Sequence, residues 1–456
     1  MINMKTQSSK MHSIDMTSGS ILPKLLLFTL PLMFSSILQL LFNAADIVVV
    51  GRFCGEESLA AVGSTSSLIN LLTNLFIGLS VGTNVLTAHF FGSKEKNKLH
   101  DAIHTSIAIS LISGILLTIV GVCFTGTILE WMSTPPEVLP LATLYLRIYF
   151  LGMVATMLYN FCSAILRAVG DTQRPLYYLL FSGCVNVLLN LIFVIYFNLN
   201  VAGVGLATVL SQCISAFLVL RCLILEQEDY KVTLSHIRIK KEYVKRILRI
   251  GLPAGLQGTV FSLSNVVIQS SINSFGSVIM AGSAASGNIE GFVYVSMNAF
   301  HQAAISFVSQ NMGAGKWKRM TRIAIWCLIC VTITGLVLGL TTVFFGPILL
   351  GIYSSKPNVI EAGMVCLAIV CGTYFLCGIM DVMAGVMRGY GYSVVPMIVS
   401  LVGACGLRLF WIFTFFKLPV FHTPDMLYMT YPVSWILTGF VHILCYLCIR
   451  KRFPKE

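Results

Sequence analysis

The sequence predicts an all-α integral membrane protein in which twelve transmembrane helices form two pseudo-symmetric six-helix bundles. The first observation behind this prediction is composition, since 56% of the 456 residues are hydrophobic and only 11% are charged. A soluble domain carries roughly 25% charged residues, so this chain has too little polar material to face water on all sides. The other two observations are a series of twelve long apolar runs and an internal repeat.

The apolar runs are long enough to cross a bilayer, which requires about 20 mainly apolar residues. The first run follows Lys24 and is too long for the apolar region of a cleavable signal peptide. Several runs exceed the minimum length, which permits tilted helices. The predicted spans are 25–50, 62–91, 103–124, 140–163, 176–198, 201–224, 247–273, 282–311, 322–345, 361–386, 395–416 and 430–449.

The distribution of positive charge supports twelve spans and predicts their orientation. With the N-terminus inside and alternating spans, the inner segments hold 25 of the 30 Lys and Arg residues. The outer loops hold only Arg52, Lys356 and Lys417, while Arg147 and Arg408 lie within spans. This positive-inside bias predicts that both termini are cytoplasmic. It also explains the net charge of +12 without a nucleic-acid partner, and the compact loops favour a bacterial plasma membrane.

The second half of the chain repeats the first at an offset of 221–222 residues. Pro31 recurs as Pro253, and the stretch Leu-Arg-Ala-Val-Gly at 166–170 recurs as Met-Arg-Gly-Tyr-Gly at 387–391. Each half contains an even number of spans, so both halves have the same orientation. Their symmetry axis is therefore expected to run along the membrane normal.

The repeat predicts three regions of the chain. Residues 1–225 form an N-terminal six-helix bundle, 226–249 a basic cytoplasmic linker, and 250–456 a C-terminal six-helix bundle. Two bundles of this kind place a cavity where they meet, and rocking of one against the other exposes that cavity to each side in turn. This architecture indicates a transporter.

Several short motifs carry a family resemblance. They are Asn-Ala-Ala-Asp at 43–46, Leu-Ala-Ala-Val-Gly at 59–63, Leu-Arg-Ala-Val-Gly-Asp at 166–171, Gln-Asn-Met-Gly at 310–313, and the stretch at 387–391. Each is weak alone, but their order and spacing are specific. From about residue 17 to 450, the chain resembles bacterial members of the multidrug and toxic compound extrusion (MATE) family. The resemblance implies a V-shaped secondary transporter that exports amphipathic organic cations by antiport with H⁺ or Na⁺ through alternating access.

Polar residues inside the spans are the first candidates for function, because a charge near the bilayer centre costs about 2.5–3.5 kcal/mol. On helix 1, Gln39, Asn43 and Asp46 follow i, i+4, i+7 spacing and share one face. We expect Asp46 to couple to the ion and the two amides to bind substrate. Pro31 removes a backbone hydrogen bond and acts as a hinge. The resemblance points to the same acid and proline; a structural acid is the alternative.

Helix 5 carries a second polar face, formed by Ser182, Asn186 and Asn190 at i, i+4, i+8. The resemblance implies that Asn186 joins the helix-1 acid in a cation-coupling network. In archaeal-type members the next position of this network is an Asp, and here it is Asn190. Thr208 on helix 6 is expected to complete the set. Interhelical packing through small and polar residues is the alternative explanation.

The second half contributes two further acids. Asp381 on helix 10 matches a cation-coupling position of Na⁺-driven MATE members. In those members it works with a Glu on helix 7, but predicted helix 7 here has no acid and carries amides such as Gln257 and Asn265. We expect both amides to contact substrate. Glu290 on helix 8 is a candidate for binding the cationic substrate or the coupling ion. An ion pair of Asp381 with Arg408, or of Glu290 with Arg147, remains open.

The rival functions predict features that the sequence lacks. A flippase of lipid-linked oligosaccharides, the main alternative, favours a basic cluster in the cavity, and only two arginines lie deep in the spans. An enzyme is not expected, because no phosphate-binding loop or hydrolytic constellation is present. The fourteen cysteines show no metal-ligand spacing, so no cofactor is expected beyond the coupling ion. The predicted partners are small organic molecules and the lipid bilayer, with the protein acting as a monomer.

Overall fold

The computed structural model describes residues 13–132 and 134–454, without the side chain of Ser67. Lys5, Lys10 and Lys455, which contribute to the positive-inside count, lie outside the described residues. Within the described ranges the regular secondary structure is helical and no strand is present. The predicted all-α fold class is confirmed.

Twelve long helical segments form the framework. Their bounds are α1 Ile21–Phe53, α2 Glu56–Ser93, α3 Lys96–Trp131, α4 Leu139–Leu151 with Met153–Ala168, α5 Gln173–Leu191 with the π-turn Ile192–Tyr196, α6 Asn200–Leu225, α7 Lys241–Asn273, α8 Ser277–Gly313, α9 Trp317–Phe344, α10 Pro357–Val370 with the 3-10 turn Cys371–Thr373 and Tyr374–Gly389, α11 Val394–Ser400 with the π-turn Leu401–Gly406 and Leu407–Phe413, and α12 Thr430–Arg450.

Most of these helices are suited to cross a membrane by length and composition. Among the described residues, nine pass as single apolar spans, and α4 makes a tenth if its two parts, bent by 47°, count as one. The remaining two, α7 and α8, are 33 and 37 residues long but carry more polar side chains. Amides such as Gln257 and Asn265 interrupt the apolar surface of α7.

The repeated motif of the two halves forms the same local structure twice. Gly170, after α4, and Gly391, after α10, both adopt positive φ, 96° and 84°. In each case the N–H of the residue after the glycine donates to the carbonyl five residues earlier. The Asp171 N–H is 2.9 Å from the Leu166 carbonyl, and the Tyr392 N–H is 3.0 Å from the Met387 carbonyl. Glycine is favoured because a left-handed residue ends the helix in this motif.

The chain divides into two compact units. Unit 1 contains Phe34–Gly255 and the N-terminal segment up to Asp15; unit 2 contains Met16–Met33 and the chain from Leu256 onward. The helix α1 therefore contributes its first part to unit 2 and the remainder to unit 1. The helix α7 does the reverse. Both changes of unit occur two residues after the prolines that the repeat equates, Pro31 and Pro253.

In unit 1, the first part of α7 lies directly against the backbone of α2. Gly78 and Gly82 face Gly251 and Gly255, and a Cβ on any of the four would collide with backbone atoms of the other helix. Small residues four apart allow helices in membranes to approach this closely. In unit 2, the first part of α1 packs against α8 through the Phe28 and Phe307 rings, whose centroids are 5.4 Å apart.

A buried polar network in unit 1 ties the start of α5 to the segment after α6. Asp171 Oδ1 accepts the N–H groups of Gln173 and Arg174 at 3.2 and 3.1 Å, which satisfies two donors at the start of α5. The Arg174 guanidinium pairs with Asp171 and, at 2.9 Å, with Glu226. Burial opposes ionisation of Glu226, but its hydrogen bond from Arg174 holds the carboxyl pKa below its ordinary value.

Candidate functional sites in the two units

In unit 1, α1 and α5 are in close contact one to two helical turns before the predicted site residues. A Cβ on Gly183 would overlap the ring of Phe42, so the absence of a side chain at this position lets the ring pack against α5. Asp46 lies one helical turn beyond Phe42, and Asn190 lies two turns beyond Gly183. The glycine thereby brings the polar faces of the two helices together.

The carboxylate of Asp46 lies in the resulting polar cluster. Asn190 Nδ2 donates to Asp46 Oδ1. Thr208 Oγ1 lies 3.5 Å from Asp46 Oδ2 and 3.0 Å from the Val204 carbonyl, and its single proton can be donated to only one of them at a time. The same amide nitrogen is 3.3 Å from Asn186 Oδ1. Asp46, Asn186 and Asn190 are buried. The structure thus brings together the three residues predicted on helices 1 and 5 and the threonine on helix 6.

All partners of Asp46 in this cluster are neutral. None of the seven ion pairs in the described part of the chain involves it. The Asn190 side-chain oxygen is buried and has no hydrogen-bond partner among the described residues. The cluster therefore combines one uncompensated carboxylate with amide and hydroxyl oxygens, a donor set suited to a hard monovalent cation or a proton.

The other predicted residues of helix 1 lie apart from this cluster. Gln39 and Asn43 are exposed, whereas Pro31 is half-buried inside a helix that continues through it to Phe53. The structure shows no break of α1 at the proline. The amides remain predicted substrate contacts and Pro31 a predicted hinge.

In unit 2, Asp381 lies beside a buried basic group. His301 Nδ1 is 2.6 Å from the Asp381 backbone carbonyl, and its Nε2 is 3.2 Å from Arg388 Nη1. A carbonyl only accepts and a guanidinium only donates, so the neutral imidazole with its proton on Nδ1 satisfies both contacts. Arg388 Nη2 also donates to Gln257 Oε1 at 2.8 Å. Gln257, a predicted substrate contact, thus accepts a hydrogen bond from this arginine.

Arg388, counted with the inner segments from the sequence, lies in the last turn of α10. Only 5% of its surface is exposed. Glycine at position 385 makes room for this arrangement, because a Cβ there would lie 2.9 Å from His301 Nδ1. Asn265, the other predicted amide of α7, is exposed.

Glu290 on α8 lies in an aromatic environment. The Tyr374 hydroxyl donates to Glu290 Oε1 at 2.9 Å, and the Tyr374 ring lies 5.0 Å from that of Trp435. Arg147, the ion-pair partner considered for Glu290, is exposed on α4. No ion pair of the described residues involves Glu290 or Asp381.

Arg408 is bound by neutral groups and does not form the ion pair with Asp381 that the sequence left open. Its Nε donates to Ser434 Oγ at 2.9 Å, and its Cζ lies 4.3 Å from the Tyr431 ring centroid and 5.7 Å from that of Trp435. Sequence reasoning missed His301, Arg388 and the aromatic residues of α10 and α12. Aromatic residues are abundant in this chain, so no periodicity distinguished these from lipid-facing ones.

Comparison with known proteins identifies the family. The MatE family profile matches residues 31–192 and 253–414, which together make up more than half of the chain. The chain belongs to the multidrug and toxic compound extrusion (MATE) family. The two matches start at Pro31 and Pro253, so the MATE profile finds the same duplication as the internal repeat. The resemblance predicted from the sequence motifs is confirmed.

Relatives and solved structures agree with this assignment. The chain is 27% identical to the probable multidrug resistance protein YoeA of Bacillus subtilis, over 89% of each protein. It is 21% identical to the multidrug export protein MepA of Staphylococcus saprophyticus, over 82% of each. An outward-facing MATE transporter structure aligns with a TM-score of 0.87 at 21% identity, covering 96% of this chain and 98% of that one. A MOP-superfamily transporter from Pyrococcus furiosus aligns with a TM-score of 0.89 at 21% identity, covering 97% and 98%.

These comparisons support a multi-pass membrane transporter of a multidrug efflux family. The relatives are transporters and not enzymes, and they do not favour the lipid flippase considered above. The structural alignments support the twelve-helix MATE fold.

Proposed function

We propose that this MATE transporter exports amphipathic organic cations by antiport with H⁺ or Na⁺ through alternating access. The substrate class is supported by the relatives named for multidrug resistance and export and by the acids within the spans. We further propose that it acts as a monomer in the bacterial plasma membrane with both termini cytoplasmic.

The observation that carries the proposal is the Asp46 cluster. A carboxylate buried among neutral donors is costly in a membrane, because no basic group compensates its charge. Binding of a monovalent cation or a proton removes that cost. A change of the ion occupying the cluster therefore changes the stability of one conformation relative to another, which is what coupling requires.

The roles of the remaining predicted residues follow from this division. We assign ion coupling to Asp46 with Asn186 and Asn190, and Asp381 remains a second coupling candidate. The exposed amides Gln39, Asn43 and Asn265, together with Glu290, are proposed substrate contacts. Gln257, which also bonds Arg388, remains a proposed substrate contact.

The test is transport by the full chain reconstituted in liposomes. Uptake of a fluorescent organic cation is followed under separately imposed H⁺ and Na⁺ gradients, in the wild type, Asp46→Asn and Asp381→Asn. We expect gradient-driven movement that Asp46→Asn reduces at least about tenfold. The exposed acid Glu137 provides a matched control as Glu137→Gln, which retains transport.

Each outcome has a distinct meaning. If a variant loses the transport driven by only one of the two gradients, that gradient identifies the coupling ion. Full transport by Asp46→Asn would reject the coupling role of the cluster, and absence of gradient-driven movement in folded wild-type protein would reject organic-cation antiport.

A further inference from the structure

We propose that Glu290, Tyr374, Tyr431 and Trp435 form an organic-cation site within unit 2, and that the guanidinium of Arg408 occupies this site as an internal cation when substrate is absent. The inference rests on the proposed export of organic cations and names the chemistry by which one unit recognises them. It adds that Arg408 of the protein itself occupies the site, which neither the sequence nor the relatives indicate.

The walls of the site are aromatic and continuous. The Trp435 ring lies 5.0 Å from the Tyr374 ring and 5.7 Å from the Tyr431 ring. Three helices contribute to it, since Glu290 lies on α8, Tyr374 on α10 and the other two rings on α12. Aromatic faces attract cations through their quadrupoles, most strongly where water is excluded.

Glu290 supplies the negative charge of the site. Its carboxylate accepts the Tyr374 hydroxyl at 2.9 Å and forms no ion pair among the described residues. A lipophilic cation with a delocalised or shielded charge matches a carboxylate beside aromatic walls. Such a ligand loses little hydration on entry and does not need directional hydrogen bonds.

Arg408 shows that the aromatic walls already hold a cation. Its side chain is 3% exposed, with Cζ 4.3 Å from the Tyr431 ring centroid and Nε bound to Ser434. No carboxylate of the described residues pairs with it. The guanidinium therefore lies on the same ring faces that an organic cation would use, so the two compete.

Tyr294 borders the site. Its ring lies 6.4 Å from that of Tyr374, and the residue is 40% exposed. Glu290 itself is half-buried. In this proposal a ligand approaches the carboxylate from the side of Tyr294 and displaces Arg408.

The experiment is equilibrium binding of tetraphenylphosphonium to the purified full-length transporter, with no ion gradient. Tetraphenylborate, which has nearly the same shape and the opposite charge, serves as the matched probe. We expect Arg408→Gln to bind the phosphonium about tenfold more tightly, because removal of a nearby like charge is worth at least that factor in a low dielectric. The same substitution leaves the borate affinity unchanged or lower. Glu290→Gln weakens phosphonium binding about tenfold by the same argument.

Two results overturn the proposal. One is an unchanged or weaker phosphonium affinity in folded Arg408→Gln, and the other is an unchanged affinity in Glu290→Gln. If Arg408→Gln does not fold, two substitutions of Trp435 provide the test. We expect Trp435→Phe to keep the phosphonium affinity and Trp435→Leu to lose it. Equal affinities of the two variants would reject the site. Trp131→Leu, at a residue that is 81% exposed, is the control.

The failure of this inference is distinguishable from failure of the proposed function. Transport that depends on Asp46, with phosphonium affinities unaffected by all four unit-2 substitutions, rejects the site and retains the antiporter. Binding that follows the expected pattern, without gradient-driven transport in the wild type, retains the site and rejects antiport.

Discussion

The two units bury their acids in opposite kinds of surroundings. In unit 1, Asp46 contacts only the neutral side chains of Asn190 and Thr208. In unit 2, basic residues lie near the acids. His301 contacts the Asp381 backbone and Arg388, and Arg408 lies on the Tyr431 ring of the aromatic group that also contacts Glu290. An acid without a basic neighbour requires an external cation, whereas a region that contains its own cations can exchange one of them for a ligand. This contrast favours a coupling role for Asp46 in unit 1 and binding of an organic cation near Glu290 in unit 2.

The contrast arose on a shared framework. At the repeat offset of 222, Asn43 corresponds to Asn265 and both are exposed, but Asp46 corresponds to the buried Ile268. The glycine that admits Phe42 in unit 1, Gly183, has Ala404 as its counterpart at the offset of 221. Duplication therefore preserved the helix-ending motifs while the charge chemistry of the two units diverged.

The largest expected effect on transport comes from separating α1 and α5 in unit 1. Gly183→Val places a side chain inside the Phe42 ring, and overpacking of this kind costs about 1–3 kcal/mol or more. We expect transport to fall at least tenfold, with a lower melting temperature in fluorescence-detected size-exclusion chromatography. Gly63→Val is the control, since a Cβ on Gly63 has no neighbour within 4 Å. Normal transport by Gly183→Val would show that the Asp46 cluster does not depend on this contact.

The next effect concerns the ion pairs of the described residues, all of which lie in unit 1. Arg174→Gln leaves Asp171 and Glu226 buried without their shared cation, which costs about 3 kcal/mol. The melting temperature of the variant should therefore lie well below that of the wild type at pH 7. The exposed pair of Lys98 and Glu95 offers a control, because Lys98→Gln should leave stability nearly unchanged.

The pH dependence of that difference has a definite sign. Arg174 holds the pKa of Glu226 below the ordinary value of 4.5. The stabilisation is therefore fully present above that pH and is lost as the pH falls through the lower value of the folded state. The gap between wild type and Arg174→Gln should narrow in acid. A gap that stays constant as the pH falls well below 4.5 would assign the effect to packing.

The smallest effect on ion coupling is expected from a substitution in unit 2. Arg388→Gln removes donors to His301 and Gln257 and should lower stability by about 1–3 kcal/mol, the cost of leaving buried acceptors unsatisfied. Because Arg388 bonds His301 and Gln257, both in unit 2, we expect the same ion to drive any remaining transport. A switch of coupling ion in this variant would contradict the separation of roles between the units. Gln257→Leu, which removes one acceptor and keeps the arginine, measures the share due to that single bond.

The sequence by itself determined the features that depend on composition and periodicity. Scarce charge and apolar length predicted the membrane helices, and the offset motifs predicted the duplication that the MATE profile also finds. The shared faces of Asn186 with Asn190 and of Asn43 with Asp46 follow from 3.6 residues per turn, which is a local property. For that reason the Asp46 cluster was accessible from spacing together with the family resemblance.

Only the tertiary structure decided which faces of distant helices meet. The bonds of Glu290 to Tyr374 and of Arg388 to His301 span 84 and 87 positions, and no local pattern distinguishes such partners from lipid-facing residues. The same holds for Arg408 against Tyr431, and for the division of α1 and α7 between the two units. These contacts depend on how side-chain volumes fit between non-adjacent helices, and a Cβ present or absent at one glycine is enough to permit or prevent them.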